Sequence, residues 1–349
     1  MKGKLLVAIA AAAANAAPYA LAQAEDPVTL YGRVYVMFDV VEAKGGTAAP
    51  LLRRNRVSDQ SSLLGVRGAE NLGAGLKAFY QLETGFVPDG ASGPFAQRNS
   101  AVGLQHERWG SVLMGRWDMP FKLTQVAVVD PFTDLSIADI TGTAINQGNF
   151  SNREPNVVQY WSPEWAGFSV KLAYSANETR IATRNPYKYG GSIAYGKGDY
   201  YIAYAYEKHH DYSDGVATTG VNQEGNGIAG YFRIGTAKIM GQYGTYTKTG
   251  AKTQKGYALG LDWVFVGNSH LLVLYQRSND GGASNTAQPQ CDAIGIGYRY
   301  DFSRRTMFQA NYVRVSNKTG NLCNFGAGAL NIAEGQDPRG FAAGVRHTF

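Results

Sequence analysis

From Val28 onward the chain alternates with a period of two. In VTLYGRVYVMFDV, Leu30, Val34, Val36, Phe38 and Val40 share one side, and Tyr31, Arg33, Tyr35, Met37 and Asp39 share the other. GFSVKLAYS sets Phe168, Val170, Leu172 and Tyr174 against Ser169, Lys171, Ala173 and Ser175. GYALGLDWVF sets Tyr257, Leu259, Leu261, Trp263 and Phe265 against Ala258, Gly260, Asp262 and Val264. In AIGIGYRY, Ile294, Ile296, Tyr298 and Tyr300 oppose Gly295, Gly297 and Arg299. Successive side chains of a strand point to opposite faces, so these segments predict strands with two unlike faces rather than helices.

A soluble sandwich would alternate too, with its large residues inside. Two features argue against one. The polar face is crowded with Gly, Ala and Ser beside isolated charges, as where side chains line a lumen. The aromatics Trp109, Tyr160, Trp161, Trp165, Phe168, Tyr195, Tyr200, Trp263, Phe265, Tyr300 and Phe302 stand at strand ends beside turns. Amphipathic rings are best placed at headgroup depth, so this pattern predicts a girdle at a membrane interface.

The connections alternate short and long. The short ones are ENLGAG, HERWG, SPEWAG, GKGD, RIGTA, FVGNS and DFSRRT. The long ones begin with EAKGGTAAPLLRRN and VPDGASGPFAQ, include 117–152 and KTGAKTQK, and end with SNKTGNLCNFGAGALNIAEGQDP. Seven short turns and eight long loops predict about sixteen antiparallel strands with both termini at the short-turn end. In lipid every backbone polar group must pair, so the sheet must close on itself. The expected fold is all-β: a transmembrane β-barrel.

Composition agrees. Among 349 residues, 43 Gly and 22 Tyr suit strands joined by many turns. No later stretch approaches the ~18 consecutive apolar residues of a spanning helix. Residues 1–22 read as a signal peptide: MKGK is the charged region, LLVAIAAAAANAA the apolar core, and cleavage falls after Ala22 or Ala24. Residues 23–349, without linkers or charge blocks, read as one barrel domain. Losing Lys2 and Lys4 leaves 31 basic residues against 27 acidic, so the mature charge is about +4. The basic residues are spread singly, which argues against a nucleic-acid partner. Five His in the whole chain, none placed by periodicity beside a Ser or Asp, argue against an enzyme. No phosphate-binding Gly loop or Cys metal spacing occurs, and His209-His210 reads as solvated loop. No metal or cofactor is expected.

YGR in the first strand, LLGVRGAENLGAGLKAFYQLETGF, the DPF at Asp130, YDFSRRT at Tyr300 and the terminal GVRHTF resemble the Gram-negative general porins, with the betaproteobacterial group that ends in R-H-x-F nearest. The resemblance runs over the whole mature chain. It implies a trimeric outer-membrane barrel, set in outer-membrane lipid, that passes small hydrophilic solutes and ions by diffusion. It also implies a third loop folded into the lumen as a constriction, here 117–152, and a C-terminal Phe349 read by the outer-membrane assembly machinery.

A diffusion pore works by size and field. By resemblance, Arg116 and Arg153 are basic wall residues, Gln81 and Glu83 are inward polar groups, and Arg33 stands where some members carry a lysine. Leu63 departs from the family, which has a basic residue there. Asp130 and Asp134 are the leading acidic candidates on the loop, with Asp118 and Asp139 behind them. The basic wall predicts mild anion preference. Cys291 and Cys323 lie near the external end in oxidising surroundings, so a disulfide is expected. The alternatives are a substrate-specific channel on the same barrel and a surface barrel acting mainly as adhesin or receptor.

Overall fold

The computed structural model describes residues 28–90, 93–132, 136–139, 150–279 and 291–349; the signal segment lies outside them. Sixteen antiparallel strands form one closed ring. They are β1 (Thr29–Gly45), β2 (Leu51–Asp59 and Leu63–Gly73), β3 (Leu76–Gly85), β4 (Ser100–His106), β5 (Gly110–Asp118), β6 (Arg153–Trp161), β7 (Phe168–Ala176) and β8 (Tyr187–Lys197). They continue as β9 (Tyr200–His210), β10 (Gln223–Ile234), β11 (Ala237–Lys248), β12 (Gln254–Val266), β13 (Ser269–Asn279), β14 (Cys291–Asp301), β15 (Thr306–Asn317) and β16 (Gln336–Thr348). Each strand pairs with the next, and β16 returns to β1 from Arg33↔Thr348 to Gly45↔Gln336. No sheet edge is left open, as lipid requires.

The two faces are inverted relative to a soluble sheet. Leu30 is 61% exposed and Phe38 49%, while Tyr35, Met37 and Asp39 on the opposite face are buried. Leu259, Trp263 and Phe265 are likewise exposed and Ala258 buried. Large apolar residues face outward because lipid is their solvent. Gln159, Gln276, Gln309 and Asn311, all buried, point in.

The interior is filled on one side by the segment after β5. It begins with Pro120, a residue suited to the first helical turn, and continues as a short helical stretch, Lys122–Val126 and Ala127–Val129. Phe121, Phe132, Ile137 and Phe150 are buried against inward residues of β1 and the later strands, including Met37, Ala205, Ala258, Leu272 and Val313. The wall makes room with glycine. A Cβ at Gly297 would lie 2.6 Å from the Phe132 ring, and one at Gly225 would lie 2.7 Å from Phe150. Gln125 Nε2 donates to the Ala203 carbonyl at 3.2 Å, and Asn311 Nδ2 to Ser136 Oγ at 3.1 Å. The described parts of 117–152 therefore lie within the barrel.

Several expectations are corrected, among them the solvated-loop reading of His209-His210: both end strand β9, and His209 is fully buried with Nε2 2.7 Å from Glu207 Oε1. The first loop is shorter than EAKGGTAAPLLRRN, because β1 runs on to Gly45 and β2 resumes at Leu51, leaving 46–50 as the tip. The reason is pairing: Val40↔Asn55 and Val41↔Arg54 carry the ladder through residues whose polarity reads as loop. KTGAKTQK similarly shrinks to 249–253. Trp161 does not belong to the girdle. It shares the inward face with Val157 and Gln159, is 8% exposed, and gives its indole N–H to Gln159 Oε1 at 2.9 Å. The last long loop is partly inside as well, since Phe325 and Leu330 join the interior cluster.

Candidate functional site

The site starts from a kink in β2. Asp59 accepts the backbone N–H groups of Ser61 and Ser62 at 3.1 and 3.0 Å, holding Ser61 at φ 68°. Left-handed backbone at a residue other than glycine is uncommon. Here it presents both oxygens of Ser61 to arginines. Arg33 donates from Nε to the Ser61 carbonyl at 2.9 Å and from Nη2 to Ser61 Oγ at 3.1 Å. Arg98 donates from Nη1 to the same hydroxyl at 3.2 Å and pairs with Glu83 through Nε at 2.7 Å. Tyr31 donates to the other Glu83 oxygen at 3.2 Å, and Arg67 stands over the Tyr31 ring at 5.0 Å. Leu63 faces inward opposite Arg33. The charge absent at Leu63 is supplied by Arg67 on the same face and by Arg98 from the loop before β4.

A second cluster adjoins it at the root of the inward segment. Asp118, 1% exposed, pairs with Arg153 at 3.1 Å and Lys122 at 3.0 Å. Asn99 joins the two clusters: its Oδ1 accepts from Arg153 Nε at 2.6 Å, its Nδ2 donates to Asp118 at 3.0 Å, and its carbonyl accepts from Gln81 at 2.9 Å. Arg33, Arg67, Arg98, Lys122 and Arg153 thus stand against Asp59, Glu83 and Asp118, five positive groups to three negative, a net of +2.

Arg116 stands apart. Leu113 and Trp117 of its strand point inward, while Val112 and Met114 are exposed, and Arg116 falls in the outward set. A bulge opposite, at Pro155 and Asn156, leaves that alternation intact. Its Nε donates to the Gln97 carbonyl at 2.7 Å, tying the loop before β4 to the barrel rim. Arg33, Gln81, Glu83 and Arg153 come together, and Arg116 does not join them. Asp130 caps its own turn by accepting the Phe132 N–H at 2.8 Å. Asp134 lies outside the described residues.

Arg98 and Asn99 carry no signal in sequence, because they sit in a loop where period-two facing does not apply. Arg67 was findable, being on the face of Gly65. Cys291 and Cys323 stand with Cα atoms 6.3 Å apart, within the span of a disulfide. Phe349 closes the ring: its N–H donates to the Gly32 carbonyl at 3.0 Å and its carbonyl accepts the Gly32 N–H at 3.1 Å.

External loops are held by local carboxylates. Asp211, just after β9, accepts the N–H groups of Asn185 and Gly220, each at 2.8 Å. Those two bonds hold its carboxyl below the usual range against the opposing effect of burial. Folded-state depression means that the stabilisation is complete above the ordinary aspartate pKa of about 3.9 and is lost as pH falls through the lower folded value. Pepsin nicking of 177–186 and 211–222 should therefore rise steeply below that point. Asp211→Asn should remove the steepness, and an unchanged profile would refute the assignment.

A lipid-embedded barrel with a charged interior defines a transmembrane channel. A sequence profile described as Gram-negative porin matches residues 6–320, so the chain belongs to the Gram-negative porin family. It is 28% identical to outer membrane porin protein 32 of Delftia acidovorans over 99% of both chains. It is 26% identical to major outer membrane protein P.IB of Neisseria meningitidis serogroup A, over 80% of this chain and 84% of that one. An anion-selective porin from Comamonas acidovorans superposes with a TM-score of 0.76 at 25% identity, covering 92% of this chain and 99% of that one. The protein resides in the outer membrane of a Gram-negative bacterium and is a diffusion channel rather than an enzyme.

Proposed function

We propose that the barrel passes small hydrophilic solutes and ions by passive diffusion with a mild preference for anions, acts as a homotrimer, and is narrowed by 117–152. The observation that carries the preference is the net +2 wall around Ser61, Glu83 and Asp118, with Asp59 counted. Fixed charge lining a pore raises the local concentration of the opposite ion. The anion-selective neighbour supports the same reading. Purified protein in planar bilayers should show large ohmic conductance and a reversal potential of chloride sign in a KCl gradient. Cation-sign reversal would overturn the preference. Unboiled protein should migrate as an SDS-resistant trimer.

Cys291 and Cys323 are proposed to be bonded, closing a loop of sequence separation 32 and tying β14 to the inward-leaning last loop. Mass spectrometry without reduction should find no alkylatable thiol; two would refute the bond.

A further inference from the structure

Most inward basic side chains have a carboxylate partner: Arg56 with Asp39, Arg98 with Glu83, Arg153 with Asp118, Lys188 with Glu154 and Arg299 with Asp262. At the short-turn end of β10 and β11 two do not. Arg233 and Lys238 are directly opposite each other across the ladder. Arg233 shares the face of Ala229 and Tyr231, and Lys238 that of Met240 and Gln242, both of them inward. Neither makes an ion pair among the described residues. Like charges directly opposite on a sheet are destabilising. Asp262 is the cross-strand neighbour of Lys238 on the other side, but its oxygens are committed to His270 at 2.6 Å and Arg299 at 3.3 Å. Both cations instead lean on one ring: Lys238 Nζ is 4.3 Å and Arg233 Cζ 5.3 Å from the Tyr231 centroid. Tyr201 stacks beside Tyr231 at 5.6 Å.

From this arrangement we infer that Arg233 and Lys238 form an anion station at the inner mouth of the pore that takes small divalent oxyanions. The inference rests on the channel reading above and deepens it. A planar guanidinium supplies paired donors and an ammonium a compact charge, a combination suited to an oxyanion. Two adjacent cations that make no ion pair among the described residues favour two negative charges over one. The ring beneath holds both heads at the wall. The shared chemistry fits phosphate and a short dicarboxylate alike.

The test is single-channel chloride current with inorganic phosphate, succinate or acetate added to one compartment at a time. Phosphate or succinate should reduce the current at lower concentration than acetate, and more effectively from one side. Block by phosphate alone marks a phosphate site, and block by both marks a general dianion site. In Arg233→Gln/Lys238→Gln the block should weaken about thirtyfold, since each of the two unit charges at contact contributes about 1 kcal/mol even in water. Lys238→Arg keeps the charge and should retain block, which separates loss of the station from damage to the barrel. Equal block by acetate, or block unchanged in the double variant, overturns the inference while leaving an open channel. Absence of any KCl conductance would instead remove the channel reading and the station with it.

Discussion

Deletion of Phe349 should reduce the folded, SDS-resistant fraction by more than about tenfold. The residue supplies both backbone hydrogen bonds of the last rung, donating to and accepting from Gly32. At about 1 kcal/mol each, losing them exceeds the 1.4 kcal/mol that corresponds to a factor of ten. Its ring also lies over Gly32, where a Cβ would come within 2.7 Å of it. Removing Gly250, Ala251 and Lys252 from the 249–253 tip should leave assembly near normal, because that tip closes no barrel rung. Phe349→Ala separates two contributions, since it keeps the backbone rung and loses the ring. Normal refolding of that variant in detergent with failure in cells would place the loss in recognition by the assembly machinery. Normal trimer yield from the deletion would refute both roles.

Neutralising the wall should give the largest change in permeation. In Arg33→Gln/Arg98→Gln the cluster around Ser61 loses two positive groups, leaving Glu83 to face Arg67 alone. One unit charge about 4 Å from an ion in water changes its energy by about 1 kcal/mol, roughly fivefold in local concentration. Chloride over potassium permeability should therefore fall by several-fold, most visibly at low salt, where screening is weak. The Arg116→Gln change should move it little, because Arg116 lies in the outward set of its strand. If Arg116→Gln shifted selectivity as far as the double variant, the assignment of the wall would be wrong.

The contrast between Arg116 and Arg98 shows where sequence reading stops. Resemblance drew attention to Arg116 because of its place before the long loop. The alternation of Val112, Leu113, Met114 and Trp117 was available to show that it points away from Leu113. Arg98 offered no such pattern. It enters the site only because the end of its loop, held by Glu83, Ser61 and Asn99, is drawn over the barrel wall. Trp161 is a third case: its position beside a turn suggested a girdle, while its parity with Gln159 puts it inside.

The chain by itself determined the period of two, the facing of most strands, their number and the closure of the sheet. These follow from local geometry, in which side chains alternate, and from one global constraint, that lipid leaves no backbone group unpaired. The tertiary structure decided which charges meet. Arg33, Arg98, Arg153 and Asp118 gather from β1, the loop before β4, and the facing ends of β5 and β6. It also decided how Phe132, Phe150 and Phe325 fill the interior against glycine-lined wall. Such meetings depend on the path of loops and on the stagger between distant strands, and neither leaves a periodic trace along the chain.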